Sequence, residues 1–323
     1  MTTANPRFDL TSLGEVMLRL SVGQGEKLVN AERFDVNLGG AEANVCAALA
    51  GLGRKTAWLG AFPDSPLGEL ALRSLRANGV DVAGVKLVAN ARLGTYFVEL
   101  GAPPNPIDVI YDRAGSAAAN MTPNDVDWEL MLDTRWLHLT GITPALGEGP
   151  AAIVEQALRL AAERGVKVVF DVNFRAKLWS ASAAKAWLEP RLGLVDLLIC
   201  GVQDAATVLG LNSDPLATVR ALAQSGRGDS AVVTLGDKGA IAWERGRQLR
   251  VPGVAAEVID RLGAGDAFAA GVIDGLLDDS LHTGLERGVT LAAAALGQHG
   301  DVVNLSREAL DRLLAGDNKR PAR

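Results

Sequence analysis

A glycine-rich tetrapeptide, Gly263-Ala264-Gly265-Asp266, stands directly before an apolar, Ala-rich stretch that predicts a helix. The first N–H groups of a helix have no intrahelical partner, and glycine lets the backbone approach a ligand closely. With the helix dipole, this predicts an anion site suited to a transferring phosphoryl group, in which both glycines lie outside the regular helix. Asp266 is either a helix cap or a general base that takes a proton from an acceptor hydroxyl. These four residues leave both interpretations open.

Three polar residues, Asp171, Asn173 and Arg175, end the buried strand predicted in "FDVNFR". Parallel sheets bind ligands at the carboxyl ends of their strands, so adjacent hydrogen-bonding groups there favour a ligand site. We expect Arg175 and Arg113 near a bound acid, because a guanidinium grips a carboxylate or phosphate through two parallel hydrogen bonds. The alternative for either arginine is a solvated surface side chain.

Two further glycine-rich turns have both a structural and a functional interpretation. "LGGAEAN" is either a turn that enters a domain or a place where Gly40 and Asn44 contact a polyol. "VTLGDKG" (233–239) is either a plain hairpin or part of a nucleotide site. The common phosphate motifs GxxxxGK[ST] and GxGxxG are absent from the sequence, so a nucleotide would bind through another arrangement.

Strand and helix patterns alternate over most of the chain from about Lys55 onward. Short apolar runs such as "VVFD", "LLIC" and "VVTL" are separated by Ala/Leu-rich amphipathic ones, which is typical of a parallel sheet with helices on both faces. The residues after those runs should therefore share one rim. Gly271 and Gly275, four residues apart in a predicted helix, are expected to let a neighbouring helix approach.

Two segments, 15–38 and 92–113, have strand-like alternation without a helix-length run between the strands. They predict a small separate sheet that serves as a lid over an active site. The whole chain, 1–323, is expected to form one α/β domain into which this lid is inserted.

Composition limits the classes of protein that fit. The 323 residues are 48% hydrophobic, with no apolar run near the ~20 residues that span a membrane, so no membrane partner is expected. The net charge is −6 with scattered basic residues, which argues against nucleic acid as a partner. The two cysteines form no paired motif, and the N-terminus lacks a secretory pattern, so a cytoplasmic protein is predicted.

Together, "GGAEANVCAALAGLG" and "DRLGAGDAFAAG" resemble the two signatures of the PfkB carbohydrate kinases, the ribokinase-like family. The resemblance runs in order from Gly14 to about Asn304. It implies a three-layer α/β/α domain with a mostly parallel central sheet and a small β-sheet lid. Within the family, "YDRAGSAA", "DVNFRAKLW" and "GQHGD" are similar to segments of kinases that act on the sugar acid 2-keto-3-deoxygluconate.

The resemblance implies a role for each motif. Asp266 would be the catalytic base, and Gly263, Ala264 and Gly265 would form the anion hole. ATP and Mg²⁺ are the implied cofactors. The nucleotide would contact Asn173, Thr234, Leu235, Gly236, Asp237, Lys238, Gly239, Gly263 and Gly265. The sugar acid would contact Gly40, Ala41, Glu42, Asn44, Tyr96, Tyr111, Arg113, Arg175 and Asp301.

Three positions depart from the family pattern. Arg261 replaces the usual Thr or Pro in the C-terminal signature, which puts a cation near the phosphates. The acidic NxxE motif linked to magnesium reads Gly201-Val202-Gln203-Asp204, so Asp204 is the candidate metal residue. Val109-Ile110 precede Tyr111 where another aromatic is common, which predicts a looser substrate pocket.

The implied reaction is ATP-dependent phosphorylation of 2-keto-3-deoxygluconate to its 6-phosphate. Two alternatives stay open: a family kinase that acts on a neutral sugar such as fructose, and a non-catalytic sugar- or nucleotide-binding regulator with a kinase fold. A homo-oligomer is expected, because the edges of a lid sheet need covering.

Overall fold

The computed structural model describes residues 6–101, 107–211 and 214–316, so residues 102–106 of the predicted lid segment lie outside the described residues. The described strands are β1 (Phe8–Leu13), β2 (Met17–Ser21), β3 (Asp35–Gly39), β4 (Thr56–Pro63), β5 (Val85–Val88), β6 (Thr95–Glu99), β7 (Asp108–Asp112), β8 (Thr134–Thr140), β9 (Lys167–Asp171), β10 (Leu197–Gly201), β11 (Ser230–Thr234), β12 (Ala240–Glu244) and β13 (Arg247–Val251). The described α-helices are α1 (Ala41–Gly51), α2 (Pro66–Ala77), α3 (Trp128–Leu132), α4 (Glu148–Arg164), α5 (Ala181–Leu188), α6 (Val202–Leu209), α7 (Pro215–Ser225), α8 (Ala264–Leu277), α9 (Leu281–Leu296) and α10 (Arg307–Leu314).

The main sheet has nine strands in the order β13-β12-β11-β10-β9-β8-β1-β4-β5. All neighbours from β11 to β5 pair in parallel, whereas β12 and β13 continue the sheet as antiparallel hairpin strands. The predicted alternation of strands and helices therefore produces a mostly parallel sheet.

Helices cover both faces of this sheet, because successive strand residues point to opposite sides. In β9, Val169 packs in one hydrophobic cluster with α1, α8 and α9, while its neighbours Val168 and Phe170 pack in the other with α4 and α7. Cys46 and Cys200 are buried, one in each cluster. The predicted three-layer α/β/α fold is confirmed.

The lid is a separate four-stranded sheet in the order β3-β2-β6-β7. Its strands come from the two predicted segments, and its central strands β2 and β6 pair in parallel. Residues Arg19, Tyr96 and Tyr111 lie in register across β2, β6 and β7 and so share one face.

The helix after the glycine-rich tetrapeptide packs against its neighbour at close range. A Cβ on Gly271 would overlap the backbone of Gly288, and one on Gly275 would overlap the backbone of Gly284. The prediction that these two glycines let a helix approach is confirmed, and α9 is that helix. No helix in the described part of the chain is both long and apolar enough to cross a membrane.

Candidate active site

The carboxyl ends of β8 to β11 form one rim, as the strand pattern predicts. Thr140 aligns with Asp171, the last residue of β9, and Gly201 at the end of β10 aligns with Thr234. A Cβ on Gly201 would lie 3.8 Å from both Thr234 Oγ1 and Asp204 Oδ2. The side chains predicted to bind metal and nucleotide therefore meet at this rim.

The anion site is built by the start of α8. Gly263 is the N-cap in the left-handed region, with φ of 82°, and a Cβ there would overlap the main-chain oxygen of Asp301. The first N–H that bonds back within the helix is that of Ala267, to Gly263 O at 2.9 Å. The preceding three N–H groups therefore have no intrahelical acceptor. Gly265 lies inside the first turn of α8, so the expectation that it lies outside the helix is wrong.

Asp266 is held at this helix start by Asn44, which lies near the start of α1. Asn44 Nδ2 donates to Asp266 Oδ2 at 2.7 Å, while Asn44 Oδ1 accepts from Gly40 N at 3.3 Å. The side chain that the sequence links to the sugar therefore contacts the predicted base directly.

Carboxylates crowd this end of the sheet. Burial raises the pKa of Asp266 to about 6, against the hydrogen bond from Asn44 and the charge of Arg175. Burial and the charge of Asp266 raise the pKa of Asp171 to about 8. Burial also raises the pKa of Asp204, whose Oδ2 accepts from Phe174 N at 3.1 Å. A carboxylate with a pKa near 6 is suited to act as a general base at neutral pH.

The lid contributes a row of side chains to the site. Tyr96 OH donates to Asp301 Oδ2 at 2.6 Å, and the rings of Tyr96 and Tyr111 stack with centroids 5.8 Å apart. The other carboxylate oxygen of Asp301 accepts from the buried Arg19. A Cβ on Gly39 would overlap both the Tyr96 hydroxyl and Asp301, so the glycines before α1 make room for this contact.

The two predicted arginines differ in their surroundings. Arg113 forms an ion pair with the buried Glu15, with Nε and Nη2 at 2.7 and 2.5 Å from Glu15 Oε2. Within the described ranges Arg175 makes no ion pair, and its Nη1 donates to Phe174 O at 3.3 Å. Arg175 therefore contacts no carboxylate directly, although its charge lowers the pKa values of Asp171, Asp204 and Asp266.

A cavity of about 640 Å³ lies between the lid and the main sheet. Tyr111, Arg113 and Arg175 line it, together with Lys177, whose Nζ donates to Val109 O on β7 at 2.7 Å. Lys177 thus contacts the lid from the main domain and adds a second cation that has no carboxylate partner among the described residues. The predicted loosening of this pocket by Val109-Ile110 stays a prediction.

The remaining predicted sugar contacts lie at the start of α1. A Cβ on Gly40 would overlap the main-chain oxygen of Glu15, and Ala41 is buried. Glu42 is 1% exposed, and its Oε1 accepts from Thr140 Oγ1 at 2.7 Å and Thr143 Oγ1 at 2.6 Å. Glu42 therefore anchors α1 to the main sheet in this structure.

The predicted nucleotide residues form the β11–β12 connection. Thr234 ends β11, Leu235 N donates to Gly239 O at 2.8 Å, and 236–238 form a 3₁₀ turn. The hairpin interpretation of "VTLGDKG" is confirmed, and the nucleotide interpretation stays a prediction for a turn that lies on the same rim as Asp204. Asn173 adopts a left-handed φ of 39° directly after β9. Arg261, the unexplained cation of the motif, is exposed just before α8.

Comparison with known proteins identifies the family to which this chain belongs. A family profile described as "pfkB family carbohydrate kinase" matches residues 7–307. The chain belongs to the PfkB family. A relative from Haloferax volcanii named 2-dehydro-3-deoxygalactonokinase is 35% identical over 95% of this chain and 97% of its own length.

Two further proteins are similar to this chain over most of its length. A Thermoproteus tenax protein named 2-dehydro-3-deoxygluconokinase is 32% identical, over 92% of this chain and 91% of its own. The crystal structure of 2-dehydro-3-deoxygluconokinase from Thermotoga maritima superposes with a TM-score of 0.90 at 32% identity, covering 97% of this chain and all of that one. The PfkB fold and the carbohydrate-kinase class predicted from the two signatures are therefore confirmed.

Several residues that shape this PfkB site escaped the sequence analysis. Glu15 and Arg19 have no motif around them, while Asp260 and Lys177 lie inside the quoted "DRLGAGDAFAAG" and "DVNFRAKLW" but were given no role there. A buried charge between apolar residues, as in "VMLRLS" and "GEVML", is the one available signal, since such charges are normally paired. Because their partners are far away in sequence, this signal does not predict which residue each of them contacts.

Proposed function

We propose that this PfkB protein transfers the γ-phosphoryl group of ATP to the 6-hydroxyl of 2-keto-3-deoxygluconate, giving the 6-phosphate and ADP. The observation that carries the proposal is the placement of Asp266 at the start of α8, where three N–H groups have no intrahelical acceptor. A base and an anion site side by side are what transfer of a phosphoryl group to a hydroxyl requires.

Asp266 would accept the proton of the attacking hydroxyl, with its carboxylate oriented by Asn44. The N–H groups of Ala264, Gly265 and Asp266 would stabilise the negative charge of the transferring phosphoryl group. The lid, seated on the rim through Tyr96 and Asp301, would keep water from accepting the phosphoryl group.

The cations of the lid cavity support the proposal that the acceptor carries a carboxylate. Arg175 and Lys177 form no ion pair among the described residues, so both would be available to pair directly with a bound carboxylate in a cavity that Asp108 and Asp112 also line. A neutral sugar offers no such partner. The names of the relatives agree with a 2-keto-3-deoxy sugar acid but divide between the gluconate and galactonate forms.

Mg²⁺ fits the donor set at the rim. The described chain holds no group of three or more metal-binding side chains, but Mg²⁺ commonly binds one or two carboxylates together with phosphates and water. Asp204 would hold the ion, with Asp171 beside it; burial and the charge of Asp266 raise the pKa of Asp171, and a cation there would favour its charged form. When bound, Mg²⁺ would offset the charge of the ATP phosphates.

The whole chain would act as one kinase domain with the inserted lid, in the cytoplasm as predicted from the sequence. Homo-oligomerisation through the lid is part of the proposal, because Val36 and Ile110 on its edge strands are 55% and 51% exposed. Sedimentation should then give a mass above 33.7 kDa, and Val36→Glu should lower it to that of one chain. A wild-type protein of single-chain mass contradicts this part.

ADP release with a panel of acceptors tests the activity. We expect turnover with 2-keto-3-deoxygluconate well above that with fructose, and a fall of about 10²–10⁴-fold for Asp266→Asn. Asp311→Asn, an exposed aspartate on α10, is the matched control and should keep wild-type turnover. Faster turnover of 2-keto-3-deoxygalactonate would change the proposed configuration of the substrate at C4. Faster turnover of fructose would overturn the proposal of an acid substrate. No turnover with any acceptor would favour a non-catalytic regulator.

A further inference from the structure

Arg19 lies on the central lid strand β2, yet its side chain is 1% exposed. The guanidinium reaches out of the lid into the main domain. Its Nη2 donates to Asp260 Oδ2 at 2.5 Å, and its Nη1 donates to Asp301 Oδ1. One lid cation is therefore bound by two carboxylates from separate parts of the α/β domain.

Both carboxylates border the turn that forms the anion site. Asp260 Oδ1 accepts from Leu262 N at 3.0 Å, one residue before Gly263. Asp260 Oδ2 also accepts from Gly300 N at 3.3 Å, which joins the turn to the segment that carries Asp301. The main-chain oxygen of Asp301 lies so close to Gly263 that no Cβ fits between them.

The charge balance requires a cation at this point. Asp260 is fully buried, and the side chain of Asp301 is 10% exposed, so two carboxylates would face each other without solvent. Arg19 compensates both at once because a guanidinium presents donors in a planar fork. A lysine, as a compact point charge, would reach one of the two at a time.

Asp301 receives both of its carboxylate contacts from the lid. Tyr96 donates to one oxygen and Arg19 to the other, and Arg19 and Tyr96 are register partners on β2 and β6. The position of the lid sheet therefore determines the orientation of Asp301, and through Asp260 it also supports the turn before α8.

We propose that Arg19 is a positioning residue for phosphoryl transfer, which ties the lid to the anion site and to Asp301, the predicted sugar contact, so that both adopt their working geometry together. This inference rests on the proposed function. Arg19 acts through Asp260 and Asp301 and touches no reacting atom.

Kinetics of Arg19→Lys test the proposal. Since a misplacement of about 1 Å can cost on the order of 10²-fold in rate, we expect kcat to fall by about 10–100-fold, more than the KM for the sugar acid rises, while the KM for ATP changes by less than about threefold. Lys27→Met, which removes an exposed lid ion pair with Glu99, is the control and should keep wild-type kcat. Wild-type kcat in Arg19→Lys would overturn the proposal.

Hydrogen exchange separates positioning from a purely structural role. In Arg19→Lys, amides of 260–267 and 299–301 should exchange at least about tenfold faster, while those of β2 and β6 stay as in wild type. Faster exchange throughout the lid, or none at the turn, would overturn the proposal. Should Arg19→Lys fail to fold, Arg19→Met combined with Asp260→Asn keeps the charge balance and is measured in its place.

The two proposals fail in different ways. A wild-type chain that releases no ADP with any acceptor refutes the proposed function, and the exchange rates at 260–267 then decide the role of Arg19 alone. An active wild type with unchanged exchange and kcat in the Arg19 variants refutes only the positioning role.

Discussion

Asn44 and Asp266, 222 residues apart, are joined by a hydrogen bond of 2.7 Å between the starts of α1 and α8. This contact stabilises the charged form of Asp266, because an N–H donor favours a carboxylate over a carboxylic acid. It connects the helix that follows the lid with the helix that forms the anion site, so one amide both orients the base and tunes its pKa.

Removing this amide should move the pH dependence of the reaction. Asp266 has a pKa of about 6 and must be deprotonated to act, so kcat/KM should rise with pH through that value. Asn44→Ala should raise the pKa and shift this limb to higher pH, so activity falls more at pH 6 than at pH 8. The measurement is kcat/KM from pH 5 to 9, with Asn124→Ala, at an exposed position, as the control. An unchanged pH dependence of kcat/KM in Asn44→Ala would mean that the hydrogen bond does not affect the pKa of Asp266.

Substitutions of Gly263 and Gly265 by alanine form a matched pair that tests the anion site. Gly263→Ala puts a Cβ onto Asp301 O at a left-handed φ, so both the melting temperature and turnover should fall. Gly265→Ala meets no atom within 4 Å and replaces a helical glycine, which stabilises a helix by up to about 1 kcal/mol.

We therefore expect Gly265→Ala to melt no lower than wild type, while its methyl group hinders the phosphates and raises the KM for ATP several-fold. Thermal unfolding and steady-state kinetics on the same preparations check this. A normal KM for ATP in Gly265→Ala would place the phosphates elsewhere.

The two arginines should have separable effects. Arg175 makes no ion pair in the described structure, so Arg175→Met should raise the KM for the sugar acid by about tenfold or more and leave the melting temperature within about 2 °C of wild type. Arg113→Met leaves the buried Glu15 without its partner, which typically costs about 3–5 kcal/mol of stability.

Adding Glu15→Gln to Arg113→Met should restore most of that stability, since the unpaired charge is then gone. Kinetics of this double variant isolate the contact of Arg113 with the substrate. Equal stability of the single and double variants would show that the ion pair does not support the fold.

Asp171 should make the stability of the fold depend on pH. Its pKa is about 8 in the folded protein and near 3.8 in the unfolded chain, so between these values the folded state holds a proton that the unfolded state has lost. Stability is then present below about pH 4 and lost as the pH rises towards 8.

Asp171→Asn removes this titration and should melt a few degrees above wild type at pH 8, with the difference closing near pH 4. Asp112→Asn is a control of opposite sign, because Arg92 lowers the pKa of Asp112 and its stabilisation is lost only as the pH falls. A constant gap between Asp171→Asn and wild type across the pH range would contradict the shifted pKa.

The motifs and their order were readable without coordinates because they are local. The spacing of apolar residues predicts the strands, and the glycines predict the turn before α8. Gly265 was misplaced because α8 begins at Ala264, two residues earlier than the glycines indicate. The role of Glu42 was also hidden, since its partners Thr140 and Thr143 are about 100 residues away.

By itself, the amino-acid sequence determined the mostly parallel sheet, the inserted lid and the family, because each depends on residue types at short, regular spacings. Only the tertiary structure decided which charges form ion pairs. Arg113 and Glu15 are 98 residues apart and neutralise one another. Arg19 reaches from the lid to Asp260 and Asp301 in the main domain. Arg175 has no ion-pair partner in the described chain. Electrostatic balance depends on distances through space, which no local pattern specifies.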